Sequence, residues 1–398
     1  MDSTLKPGRL LSIDMLRGFV MVVMALDHVR DFFHTGAMSF SPTDLEKTTP
    51  ALFFTRWITH FCLPVFVFTA GIGTYLWWQQ RDRSRAQLSR FLWTRGIWFI
   101  LLEVTVMRFA YNFNFSGQFL LLLLILWIFG ICMIAMAALI YVPIRWLAIC
   151  SVAVIALHNC LDRVLPASFG SASWAWNLMH QPGVINFAGH QALVTYTFLP
   201  WIAVMAAGFC FGKILTLEST ARRRIMLSIG LSATVAFLVI RTINLYGDPA
   251  PWSVQKSAVF TVLSFLNCTK YPASLDFLLM TLGPAILFLT YLDRCSLKTN
   301  PLVVLGRVPL FYFILHFYAI HTLAVLMAWF RYGGAAFSFM FNPLPSMGGP
   351  RQLFPANFGY NLWTVYVLWG VTLVSLYPIC RWFARFKATR HSWWSGYL

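Results

Sequence analysis

Seven ionisable residues fall within one apolar segment near the start of the chain. SIDMLRGFVMVVMALDHVRDFFH (Ser12–His34) has the length and composition of a membrane-spanning helix, yet it carries Asp14, Arg17, Asp27, His28, Arg30, Asp31 and His34. A charge at hydrocarbon depth costs at least roughly 2.5–3.5 kcal/mol on insertion scales, so such a helix turns its charges toward protein or a wet cavity. At 100° per residue Asp14, Arg17, Asp27, His28, Asp31 and His34 share an arc of roughly 160°, with Arg30 outside it. Val22, Val23, Leu26, Val29 and Phe33 take the opposite side.

A histidine beside a carboxylate is what general base catalysis needs near neutral pH. The carboxylate fixes the tautomer and stabilises the imidazolium that forms when the ring takes a hydroxyl or amine proton. Asp27 and Asp31 are i,i+4, while His28 with Asp31 and Asp31 with His34 are i,i+3, so these pairs can touch on a helix. Either His28 or His34 fits the role of base or of acyl-carrying nucleophile. The competing reading is an internal ion-pair network that only fixes helix packing.

Arg56 and His60 lie one turn apart in Thr55–Trp78, at a depth that would let them face this cluster as substrate-binding and catalytic residues. Pro64 follows one turn on, and Gly71 and Gly73 permit close helix approach. In the ninth apolar segment Arg307 lies at the start, with His316 and His321 inside. Arg307, Arg17 and Arg95 could bind the phosphates of an anionic cofactor, with Asp14 beside Arg17, while His316 and Arg30 are candidate substrate contacts. Lys270 and Asp276 rank below the first helix, and Glu103, Arg108 and Arg241 read as packing partners. His28, Asp31 and His34 could supply zinc ligands, but no HExxH or comparable spacing supports a metal.

The elements that must position these residues follow from composition. Of 398 residues 59% are hydrophobic, 17% aromatic and only 11% charged, with a mean hydropathy of +0.68. No soluble domain buries that much apolar surface, so the expectation is an all-α polytopic membrane protein forming a single domain over residues 1–398. By the ~20-residue criterion there are about ten spans, near 12–34, 51–78, 91–110, 119–141, 144–160, 192–212, 225–245, 273–292, 308–330 and 361–382.

Basic residues alternate between connections. Arg81, Arg83, Arg85 and Arg90 follow the second span, Arg145 the fourth, Lys213 and Arg222 to Arg224 the sixth, Arg294 and Lys298 the eighth, and Arg381, Arg385, Lys387 and Arg390 the tenth. That bias puts both termini in the cytoplasm and assigns the net charge of +17 to topology, with no need for a nucleic-acid partner. Arg17 then lies at the cytoplasmic end of the first helix and Asp27 to His34 in its outer half. Eleven residues at ~1.5 Å rise separate Arg17 from His28 by roughly 16 Å. The eight cysteines are scattered without metal or redox spacing and read as small apolar residues. The opening MDSTLKPGRLLSID has no signal-peptide pattern. Outer connections near 161–191, 246–272 and 331–360, the last rich in Gly, Pro, Asn and aromatics, could form a lid. No internal repeat is evident, which weighs against inverted-repeat transporters.

Three short segments carry a resemblance. RLLSIDMLRGFVMVVMALDH resembles the opening of heparan-α-glucosaminide N-acetyltransferase and its bacterial relatives, within the broader transmembrane acyltransferase superfamily. Leu63–Gly71 (LPVFVFTAG) is similar to that family's second-helix segment, and Pro301–His316 has its Pro-Leu, Gly and His. Polysaccharide O-acyltransferases of the superfamily place a functional His eleven positions after an Arg, the spacing of Arg17 and His28; the lysosomal enzyme has Asn there. Its catalytic histidine lies just beyond the first-helix motif, where His34 stands here.

The resemblance implies acetyl transfer from cytoplasmic acetyl-CoA to an acceptor across the membrane, without carrying over glucosaminide specificity. The reading from residues and resemblance together is an acetyl-CoA-dependent membrane acyltransferase acting on a small-molecule or glycan acceptor at the outer face. The expected setting is the lipid bilayer of a bacterial inner membrane, with a homodimer allowed. The rival is a proton-coupled secondary transporter using the same His/Asp face as a relay.

Overall fold

The computed structural model of the chain describes residues 10–79, 83–115, 120–187, 189–295, 300–341 and 351–389. Arg81, Lys298, Arg390 and the 342–350 part of the third outer connection lie outside the described residues.

Sixteen α-helices are described. The first is α1 (Leu11–Phe33). The second apolar segment is built in three pieces: α2 (Pro50–Trp57), a 3₁₀ turn at Ile58–Phe61, and α3 (Cys62–Gln79). Helix α4 (Arg85–Leu102) runs through a π-helical turn, Glu103–Met107, into α5 (Arg108–Asn112). Then come α6 (Ile125–Leu139), α7 (Ile144–Leu157), α8 (Ser173–Met179), α9 (Phe198–Gly212) and α10 (Ser219–Ile243). The remainder are α11 (Ala258–Leu266), α12 (Leu275–Leu292), α13 (Pro301–Arg307), α14 (Pro309–Tyr332), α15 (Ala336–Met340) and α16 (Leu362–Thr389).

Their starts follow local chemistry. Thr49 accepts a hydrogen bond from the Leu52 N–H ahead of Pro50, Ser84 and Gln87 form a reciprocal cap, and Ser274 and Asn300 cap α12 and α13. Pro64 sits in the first turn of α3, just after the 3₁₀ turn, a position that tolerates proline.

The all-α expectation holds, and a helix coincides with each of the ten expected spans. Seven helical runs among the described residues are long and apolar enough to cross a membrane. The other three expected spans differ for physical reasons: α1 and the α4–α5 run carry too many charges, and α6 is only 15 residues long. Large apolar side chains stand exposed on the outside, among them Trp363, Val374 and Phe330. A bilayer covers such a surface, and the protein is an integral membrane protein.

Helix α1 is central, with contacts to α3, α12, α13, α14 and α16 and most of its residues buried. The apolar side of α1, which could face lipid or protein, therefore faces protein, with Val23, Leu26, Val29 and Phe33 buried. Two glycines allow α1 and α13 to touch by their backbones: a Cβ on Gly18 would lie 1.9 Å from the Leu302 carbonyl oxygen, and one on Gly306 would lie 1.8 Å from that of Asp14. Gly71 plays the expected role between α3 and α9. The Tyr360 N–H donates to the Phe33 carbonyl and the Trp369 indole to that of Val22, so the start of α16 lies beside the end of α1. The start of α1 and the end of α16 therefore lie at the same end of the bundle.

A three-stranded sheet interrupts the helical pattern. β1 (Leu121–Leu123) pairs in parallel with β3 (His190–Val194), and β3 pairs antiparallel with β2 (Gly183–Phe187). The expected fourth span, 119–141, takes in β1, and the expected sixth, 192–212, begins inside β3, because one apolar run continues from strand into helix.

Candidate active site

The second half of α1 faces a cavity of about 660 Å³, lined also by Arg56, Thr59, Cys62, Tyr111, Tyr196, Lys270 and Tyr271. A smaller cavity of about 250 Å³ lies at the Arg17 end, with Arg95, Trp77, Phe91 and Phe129 in its wall. Phe66 of α3 and Ile125 of α6 line both and form the partition between them.

The charges of the larger chamber are interlocked. Asp27 accepts from Arg56 and pairs with the Arg30 guanidinium at 3.0 Å, and the same guanidinium donates to Asp31 at 2.5 Å. Arg30, placed outside the chemical arc by helical angle, therefore belongs to the cluster. Its long stem carries the guanidinium from the helix side back to residues i−3 and i+1.

His28 has Nδ1 3.8 Å from Asp31, and its ring packs on Phe317 and His316 with centroids 4.1 and 5.2 Å apart. Neither ring nitrogen has a hydrogen-bond partner among the described residues. His34 is held differently. Its Nδ1 accepts the Gly36 N–H at 3.1 Å, which leaves the proton of the neutral ring on Nε2. His34 can therefore donate from Nε2, whereas the Asp31 carboxylate stands beyond hydrogen-bond distance of His28 Nδ1 and fixes no tautomer there. The expected Asp31–His34 pair does not form; the His34 ring turns back on its own loop.

Several expected site residues lie elsewhere. His60 is buried but absent from the chamber wall, packing against Phe277 with its Nδ1 unpartnered. The 3₁₀ turn at Ile58–Phe61 advances about three residues per turn instead of 3.6, and it rotates His60 away while Arg56 faces in. His316 is fully buried behind His28, its Nδ1 donating to the Tyr312 carbonyl. Both nitrogens of His321 face carbonyls, those of Ala110 and Met340. Arg307 and Asp14 line neither cavity, whereas Arg17 and Arg95 line the smaller one together. Arg17 donates to both the hydroxyl and the carbonyl of Thr69.

Packing roles hold for Glu103, which accepts from Tyr111 and from the Leu126 and Trp127 N–H groups at the start of α6, and for Arg241, which binds four carbonyls. Among the described residues no group of three or more His, Cys, Asp or Glu is arranged to hold a metal ion.

Sequence reasoning missed the tyrosines. The Tyr271 hydroxyl lies 3.3 Å from that of Tyr196 and 3.5 Å from an Arg56 nitrogen, which continues the Asp27–Arg56 contact along the wall. Burial raises the Tyr271 phenol, but Lys270 and Arg56 more than offset it and hold the group below the usual tyrosine range.

Helices that cross a membrane around a buried His/Asp/Arg chamber, with a second cavity sharing Phe66 and Ile125 in its wall, define a polytopic membrane protein with an internal polar chamber. The profile of the family described as "Heparan-alpha-glucosaminide N-acetyltransferase, catalytic" matches residues 9–246, more than half of the chain. The chain belongs to that family, and the protein is accordingly a membrane acyltransferase. The match spans α1 to α10; Lys270, Tyr271 and the Pro301–His316 segment lie beyond it. No curated protein is similar enough to the chain to be matched with it.

Proposed function

We propose that the protein moves an acetyl group from cytoplasmic acetyl-CoA, taken up at the Arg17–Arg95 end, to an amine or hydroxyl of a sugar-like acceptor held in the His28 chamber at the opposite face. The observation that carries this reading is His28: a carboxylate stands beside Nδ1, Nε2 is unpartnered, and the ring borders the larger chamber. Two guanidiniums on an otherwise mostly apolar cavity suit a donor with a phosphate-bearing head and a slim apolar arm.

Acetyl-CoA supplies an activated acetyl thioester. His28 Nε2 takes the proton from the acceptor nucleophile as the new bond to the acetyl carbon forms, and returns it to the departing CoA sulfur. Asp31, itself held by Arg30, favours the imidazolium that exists between the two proton transfers. His34 Nε2–H is a donor for the acetyl oxygen as negative charge gathers there. A bacterial cytoplasmic membrane is the setting this reading assumes.

The test is incubation of detergent-purified protein with acetyl-labelled acetyl-CoA and glucosamine, following CoA release in wild type, His28→Ala and His34→Ala. Release that requires His28 supports the assignment. Folded protein that neither binds acetyl-CoA nor releases CoA overturns it.

A further inference from the structure

We infer that the acceptor chamber is built for a molecule bearing an anionic group, a carboxylate or a phosphate, which Lys270 pairs with. The inference rests on the acyltransferase reading for the word acceptor, but the site itself stands on the charge distribution of the chamber wall. Asp27 and Asp31 are matched by Arg30 and Arg56, two negative against two positive charges in direct contact. Lys270 is a further positive charge on the same wall. Among the described residues no carboxylate lies within 4.0 Å of its ammonium, which stands 5.3 Å from the Tyr271 ring.

The backbone that carries Lys270 is tied down more firmly than an exposed rim requires. The Asp248 carboxylate accepts from the Thr269 N–H, the Thr269 hydroxyl and the Ser274 hydroxyl, each at 2.7 Å. The Ser274 N–H closes the turn on the Thr269 carbonyl at 3.0 Å, and Lys270 and Ala273 face each other across it. Arg241 in turn stands beside Asp248 at 3.9 Å and binds the carbonyls of Phe265, Ser264, Asn267 and Ala250. Such bracing fixes where the Lys270 and Tyr271 side chains begin. The Tyr271 hydroxyl, close to the Tyr196 hydroxyl and to an Arg56 nitrogen, adds a donor beside the ammonium. An ammonium and a phenol on a half-buried wall make charge-assisted hydrogen bonds to an anion, whereas a neutral hydroxyl gains much less from them.

The experiment measures binding of glucosamine, glucosamine 6-phosphate and muramic acid, which carries a carboxylate, to the full chain in detergent by titration calorimetry. Wild type, Lys270→Gln and Lys270→Arg are compared at low and high salt. At low salt wild type should bind at least one anionic sugar about tenfold more tightly than glucosamine, and the preferred one tells phosphate from carboxylate. Lys270→Gln should erase that ratio, Lys270→Arg should retain it, and salt should reduce it. Equal affinities in wild type, or a ratio that survives Lys270→Gln, would overturn the inference. Charge preference without any acetyl transfer would sink the proposed function while leaving this site standing; transfer without charge preference would do the reverse.

Discussion

Replacing Arg30 by methionine keeps most of the apolar stem and removes the guanidinium that joins Asp27 to Asp31. That guanidinium lies 3.0 and 2.5 Å from the two carboxylates, and its side chain is 5% exposed. Unit charges ~3 Å apart attract by roughly 5–6 kcal/mol at an effective dielectric of ~20. In the variant both carboxylates stay buried, so their desolvation cost is not recovered. Asp27 keeps Arg56, while Asp31 keeps only His28 at 3.8 Å.

Loss of one partner of a buried pair costs about 3–5 kcal/mol, a large part of the total stability of about 5–15 kcal/mol typical of folded proteins. Asp31→Asn alone should cost less, because Arg30 retains Asp27. The Arg30→Met, Asp31→Asn double variant should recover about 1–3 kcal/mol relative to the sum of the singles. Unfolding in detergent can be followed by the reaction of a thiol-specific fluorophore with buried Cys62 and Cys132. If the two single costs add to within about 0.5 kcal/mol, Arg30 and Asp31 are not energetically linked and the account of the cluster is wrong.

Three further outcomes are expected. Gly18→Ala forces a Cβ against the Leu302 carbonyl, so it should destabilise the protein by about 1–3 kcal/mol; unchanged thermal stability in detergent would contradict the backbone contact of α1 and α13. Phe66→Trp enlarges the partition and should block acetyl transfer while acetyl-CoA still binds, a separation that equilibrium binding and CoA release measure on the same preparation. Tyr271 ionises below the usual tyrosine range because Lys270 and Arg56 favour its anion. Raising the pH through that range should therefore develop phenolate absorbance early, and Lys270→Gln should move this transition upward; an unmoved transition would separate the two residues.

The chemical helix was legible because a regular helix converts spacing into direction, and charges in an apolar run have no other reason to gather. Legibility stopped wherever direction depended on something other than regular period. Helical angle sets Arg30 outside the chemical arc because it locates a Cβ and not the end of a long side chain. His60 was misplaced because one 3₁₀ turn changes the rotation per residue. Lys270, Tyr271 and Tyr196 reach the chamber from distant connections, through turn and strand geometry to which no helical period applies. The small sheet was hidden for a related reason: the leucines of β1 and the apolar start of α6 read as one run.

The partition formed by Phe66 and Ile125 has a bearing on energy coupling. The chamber lined by His28 and the cavity lined by Arg17, if joined, would make a continuous passage for water along α1. In an energised membrane such a passage conducts protons and dissipates the gradient that the cell maintains. One aromatic ring and one branched aliphatic side chain thus stand as electrical insulation between the two cavities along α1.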